Sequence, residues 1–258
     1  MKISMWCAGL VLGAVLSGAA NAAFVPSSYF VNPALPGTTQ FDGWTNSSLL
    51  FSANPGFPGF PGSGAWPSAI GSDAPGSGDA TLLKTANGTG GGPYPAGGSL
   101  YYGGFSGDIN NDGGTLTVTD SSPVAGLANV IFQLDIGEAW TYDFWNNALP
   151  VLNYNGGGQN LAPSNAVLLN KYDNGPVTMP TGEETVYINT HLLQWDLSSI
   201  GDGPVTSFSV SFTGVQHGQV YALQLNQGSE YIAVPEPATI GLVGLCVAGL
   251  AGVRRRVR

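Results

Sequence analysis

Three groupings of residues have the types and spacing to carry chemistry. The first is Asp108-Ile109-Asn110-Asn111-Asp112-Gly113, which fits D-x-N-x-D-G, the opening half of a calcium loop. Hard oxygens of Asp108, Asn110 and Asp112 could converge on Ca²⁺, and Gly113 permits the sharp turn. Position 12 of a complete EF-type loop is Thr119, however, and Asp120 stands one residue late. Asn111-Asp112-Gly113-Gly114 also spells a strong hairpin turn that needs no metal. The expectation is no cofactor, with calcium as the single candidate.

The second grouping is aromatic: Trp140, Tyr142, Phe144 and Trp145. In a strand, Trp140, Tyr142 and Phe144 would share one face. Sugar-binding modules stack pyranose rings on exposed aromatics and bond hydroxyls through Asp or Asn, and Asp143, Asn146 and Asn147 are adjacent. Trp140, Tyr142 and Trp145 are therefore the candidate glycan-binding residues. Core packing competes, because an aromatic side chain buries roughly 150–250 Å². Trp44 and Trp66 lie in loop-like Gly/Pro sequence, as exposed platforms or as plugs over the core.

The third grouping is acidic. Glu183-Glu184 is the only adjacent acid pair, and with Asp135, Glu138, Asp196 or Asp202 it could supply a glycosidase dyad. Almost any acidic β-protein offers as much. His191 and His217 are the only histidines, too few for a zinc site without acids brought near by the fold. There is no G-x-S-x-G elbow. No catalytic residue is assigned, and no enzyme is expected.

The elements that must position these residues are strands. From about Ser99 onward, short β-branched and aromatic runs alternate with turn signals. Thr115 to Thr119, Asn129 to Ile136, Ala139 to Phe144, Val151 to Tyr154 and Ala166 to Tyr172 are the first of these. Thr185 to Asn189, His191 to Leu197, Val205 to Phe212, Gln219 to Leu225 and Glu230 to Val234 follow. In Ser207-Phe208-Ser209-Val210-Ser211-Phe212 the polar and apolar residues alternate strictly, as in a half-buried antiparallel strand. No segment of 23–234 has sustained helical periodicity. The expected fold is all-β, an antiparallel β-sandwich of jelly-roll or lectin type over 99–233. Residues 23–98 read as a Gly/Pro-rich N-terminal region in which 54–79 is a linker or long surface loop.

The chain's 39 Gly and 18 Pro go with only 9 % charged residues, against a usual quarter or so. Fifteen of the sixteen acids and two of the seven basic residues lie in 23–234, so that span carries −13 while the whole chain carries −9. Without clustered Lys or Arg there, nucleic acid is not an expected partner. The remaining basic residues mark the ends. Residues 1–22 pair Lys2 with an apolar run of about 12 residues and small residues at Ala20 and Ala22, the layout of a secretory signal peptide cleaved between Ala22 and Ala23. Sec export machinery and signal peptidase are the implied partners. Cys7 and Cys246 both fall in the ends, so the processed body contains no cysteine.

At the other end, Pro235-Glu236-Pro237 precedes an apolar stretch from Ala238 to Val253, and Arg254, Arg255, Arg256 and Arg258 close the chain. As a helix, 238–253 would be about 24 Å long, a short single membrane span. The arginines would stay cytoplasmic. These three ordered elements of 234–258 resemble the PEP-CTERM sorting domain of Gram-negative bacteria. The resemblance implies recognition by exosortase, a membrane protease/transpeptidase, and removal of the tail near Pro235-Glu236-Pro237. It further implies a membrane-anchored intermediate, then release to the cell surface or extracellular matrix, where such proteins accompany polysaccharide and biofilm. The resulting expectation is an exported, non-enzymatic surface or matrix protein that could bind extracellular polysaccharide. The alternatives are an exported glycan-active enzyme on a lectin-like sandwich and a purely structural surface protein.

Overall fold

The computed structural model describes residues 23–105, 107–179, 181–201 and 203–234. The expected signal peptide, the Pro235-Glu236-Pro237 motif, the 238–253 helix and the Arg cluster lie outside the described residues, as does Asp202. Among the described residues no helix is long and apolar enough to cross a membrane.

The strands are β1 (Thr39–Trp44), β2 (Ile70–Gly71), β3 (Thr81–Asn87), β4 (Tyr94–Pro95), β5 (Leu100–Tyr101), β6 (Asp112–Asp120), β7 (Asn129–Gly137), β8 (Val151–Tyr154), β9 (Asn165–Met179), β10 (Gly182–Asp196), β11 (Phe208–Val215) and β12 (Gln219–Gly228). They form two sheets, paired antiparallel throughout. The larger runs β4-β5-β12-β7-β10-β9, with β1 also on β12, and the smaller runs β2-β3-β6-β11-β8. β5 pairs with Gln219 and Val220 at the start of β12, whereas β1 takes the half from Leu223 to Gly228.

The inner faces follow the alternation of the sequence. β7 contributes Val130, Phe132, Leu134 and Ile136; β11 contributes Phe208, Val210 and Phe212; all belong to one buried cluster. Phe132 and Phe212 meet across the sandwich with ring centroids 5.7 Å apart. Each such side chain adds about 1.5–3 kcal/mol on burial. Gly214 on β11 is required by close approach, since a Cβ there would stand 2.2 Å from the ring of the fully buried Tyr102.

The structure corrects four expectations. The sandwich does not begin at residue 99: β1 joins the larger sheet, and β2 and β3 join the smaller. Nor is 54–79 a linker, because Phe57, Trp66 and Ile70 are buried in the common core. Trp66 Nε1 donates to Pro93 O (3.1 Å) and Trp44 Nε1 to Ile70 O (3.0 Å), so both tryptophans are plugs. Gly and Pro confine the ladder there to the two residues of β2, but the large apolar side chains between them still pack. Residues 139–144 are not a strand, as described below. Residues 230–234 have no strand partner either; their backbone is held by side-chain amides, with Gln194 Nε2 donating to Ile232 O (2.6 Å) and Val234 N donating to Gln194 Oε1 (2.9 Å).

β7 is buried along its whole length, on both faces. The outer face is covered by the segment 24–35. Ser27 N donates to Asp135 Oδ2 (2.6 Å), Val31 N donates to Gln133 Oε1 (2.8 Å), and Gln133 Nε2 returns a bond to Val31 O (2.8 Å). Phe24 anchors the segment against Tyr29, Tyr172 and Tyr221. Burial raises the Asp135 carboxyl above its ordinary value despite bonds from Thr190 and Ser27.

Candidate functional site

The chain leaves β7 at Gly137 and turns abruptly. Ala139 and Tyr142 exchange two backbone hydrogen bonds of 3.0 Å, closing a tight turn whose central residues, Trp140 (φ 48°) and Thr141 (φ 71°), are left-handed. A β-branched residue in that region is strained. Asn146 (φ 55°) and Asn147 (φ 56°) are also left-handed, in a 3-10 turn spanning Trp145–Asn147. The alternation of Trp140, Tyr142 and Phe144 imitates a strand, but the turn sends the three aromatics in different directions.

Trp140 is nearly buried, its Nε1 donating to Thr181 Oγ1 (2.8 Å) and its ring edge-on to His217 at 5.4 Å. Tyr142 is half-buried. Trp145 is 37 % exposed. Phe144 points into the sandwich, packing on Phe212 of β11 and on His191 of β10, and its backbone bridges to Gly214. The loop therefore ties one sheet to the other.

This crossing places Asp143 over β10. His191 Nε2 donates to Asp143 Oδ2 at 2.5 Å. Asn189, two residues earlier on the same strand face, donates through Nδ2 to both Asp143 Oδ1 (2.9 Å) and Glu138 Oε2 (3.2 Å). Lys171, opposite Asn189 on β9, pairs with the same Glu138 oxygen at 3.2 Å. Glu138 and Asn189 are 4 % and 3 % exposed, yet Glu138 Oε1 and Asn189 Oδ1 have no hydrogen-bond partner among the described residues. The amide orientation of Asn189 follows from its neighbours, since only Nδ2 can face two carboxylates. Together with Thr141, Phe144, Asn147 and Leu149 these groups line a cleft of about 290 Å³.

The cleft contains hydrogen-bond donors and acceptors fixed in place, with exposed apolar surface from Leu149. Sequence reasoning found the 140–147 cluster and Asp143 beside it. It did not connect them with Lys171, Asn189 and His191, and the only signal was that a lone histidine and an asparagine sit two residues apart on an otherwise apolar strand face.

The other candidate residues are scattered. Asp108 is exposed. Asn110 is left-handed (φ 53°); its Oδ1 accepts from Asn146 N (3.0 Å) and its Nδ2 donates to Asn146 Oδ1 (3.1 Å). Asp112 Oδ1 accepts from Gly114 N (2.8 Å). The loop's oxygens thus serve turn geometry and bind it to the 145–147 turn. Glu183 is exposed and Glu184 half-buried near the tip of the β9–β10 hairpin, away from Asp135, which lies under the N-terminal segment. Asp196 accepts from Ser198 at the far end of β10. Among the described residues no group of three or more His, Cys, Asp or Glu side chains is placed to hold a metal ion.

Asn165 Nδ2 donates to Val234 O (3.1 Å), so the body grips the chain up to the last described residue, immediately before the C-terminal motif. No curated protein and no solved structure matches the chain. Residues 233–256 do match a family model, the PEP-CTERM protein-sorting motif, and the chain is thereby marked as an exported protein sorted by exosortase.

Proposed function

We propose that this is a non-enzymatic cell-surface or matrix protein that binds extracellular polysaccharide through the cleft of Glu138, Asp143, Lys171, Asn189 and His191. It is exported by the Sec machinery, cleaved by signal peptidase before Ala23, and held in the inner membrane with its C-terminus cytoplasmic until exosortase removes the tail. Trp140 serves as a wall and Tyr142 and Trp145 as aromatic contacts; no metal takes part. The observation that carries this reading is the strained 139–147 turn, which holds the Asp143 carboxylate against the Asn189 amide and the His191 imidazole of β10 in one cleft. Strain of this kind persists where the surrounding structure over-determines it, as at ligand sites.

A glycan-active enzyme is the second reading, favoured by one observation. Asp143 and Glu138 both contact Asn189 Nδ2, at 2.9 and 3.2 Å. Their oxygens are therefore no more than about 6 Å apart, which admits the roughly 5–5.5 Å spacing of a retaining glycosidase pair and not the wider spacing of an inverting one. The binding reading is preferred because Lys171 and His191 already engage these carboxylates. A glycan array with the full chain in detergent separates the possibilities. Binding that is lost in Trp145→Ala and Asp143→Ala is expected. Absence of binding leaves a purely structural protein, and release of shortened glycan establishes the enzyme.

A further inference from the structure

Glu138 also borders a second and larger cavity of about 570 Å³. Its walls are Tyr101 of β5, Tyr187 of β10, Tyr221 of β12 and His217. The size is that of a small-molecule site. Gly137 leaves room for the aromatic floor, since a Cβ there would stand 3.2 Å from Tyr221 Cε2. Tyr101 Oη and His217 Nδ1 are hydrogen-bonded at 2.8 Å, which fixes two of the rings.

No Lys or Arg lines the cavity, and its one carboxylate is that of Glu138, whose Oε2 is paired with Lys171 beside the cavity and whose Oε1 is buried and without a partner among the described residues. The chain supplies its own example of what this wall attracts. Lys171 Nζ stands 4.2 Å from the centroid of the Tyr187 ring while pairing with Glu138 Oε2 at 3.2 Å. Ring faces attract cations, and several rings around one site form a cage for an ammonium group. The −13 body raises the local concentration of any cation.

We propose that the tyrosine pocket is a binding site for an alkylammonium group, held by cation–π contact with Tyr187, Tyr101 and Tyr221 and by the carboxylate of Glu138. The pocket stands whether or not the neighbouring cleft holds a glycan. The two sources of such a group outside the cell are the free amine of an amino-sugar polymer and the side chain of a lysine.

The test titrates the full chain in detergent with choline and with 3,3-dimethylbutanol, its neutral isostere, following tyrosine fluorescence and calorimetry. Choline is expected to bind and the isostere to bind at least about tenfold more weakly. Tyr187→Leu is expected to lose about tenfold in choline affinity, and Tyr187→Phe to keep it, because the ring and not the hydroxyl holds the cation. Unchanged circular dichroism and melting in both variants establish that the comparison is between folded proteins. Displacement of bound choline by a glucosamine oligomer or by pentalysine supports the site and names the source. No choline binding, equal binding of the isostere, unchanged affinity in Tyr187→Leu, or displacement by a fully N-acetylated oligomer each overturns it.

Discussion

Asn189→Leu tests whether the cleft is one connected unit. Leucine keeps the branched shape of asparagine but is larger, so no cavity forms and the loss is polar, with some crowding added. Asn189 is 3 % exposed and its Nδ2 serves two carboxylates, at 2.9 and 3.2 Å. Hydrogen bonds to charged groups contribute about 1.5–3 kcal/mol each. The low end applies, because Glu138 retains Lys171 and Asp143 retains His191. The expected destabilisation is therefore about 3 kcal/mol, which for a body of this size lowers Tm by roughly 6–12 °C. Urea unfolding followed by tryptophan fluorescence measures it, with the m-value expected to be unchanged. Repeating the substitution in an Asp143→Asn background should show a cost at least about 0.5 kcal/mol smaller, the mark of coupled groups. A loss below about 1 kcal/mol, or full additivity with Asp143→Asn, would refute the shared-amide account.

Gly214→Ala drives a methyl into the buried Tyr102 ring and should cost about 1–3 kcal/mol in urea unfolding, with no effect on export. Trp66→Ala should cost about 3–5 kcal/mol, where a true linker residue would cost almost nothing. Asp135 has a folded-state carboxyl raised by burial from its ordinary 3.8, so its contribution to stability is full below that pH and is lost as pH rises through the higher folded value; unfolding free energies between about pH 4 and 7 should fall less steeply in Asp135→Asn than in the parent. Glu236→Ala should leave full-length protein in the membrane fraction by immunoblot, and normal removal of the tail would contradict sorting through 233–256.

The strands around the core were legible because burial on one face imposes period two. Val130, Phe132, Leu134 and Ile136 are the inner residues of β7 as their spacing predicts, and Phe208, Val210 and Phe212 are those of β11. The outer face of β7 was not legible. Gln133 and Asp135 alternate with those apolar residues and so lie on the opposite face, yet both are buried under 24–35, a segment with no periodicity of its own. The aromatic run 140–144 was legible as a cluster and misleading as a strand, since propensity favours the ladder and only the hydrogen-bonded turn at Ala139 and Tyr142 opposes it. The link from His191 to Asp143 spans 48 residues and depends on the register of β10 against β7 and β9, including a bulge at Thr190 and His191. No local pattern encodes such a register.

The register also fixes how the two ends of the sandwich divide the work. The cleft and the tyrosine pocket meet at Glu138, just past the last residue of β7. The chain leading to the sorting motif is held at the first, where Asn129 Nδ2 donates to Ile232 O (3.3 Å) and Gln194 secures Ile232 and Val234. Asn129 and Gly137 are eight residues apart along one extended strand, a separation of about 27 Å. While the tail is in place, whatever retains it holds the body by the Asn129 end, and the cleft lies at the far one. The 139–147 turn cannot swing back toward the tail, because Phe144 is packed between Phe212 of one sheet and His191 of the other. On the proposed reading, the anchored end and the ligand-binding end would thus be separated by the length of β7, and removal of the tail would leave the cleft unaltered.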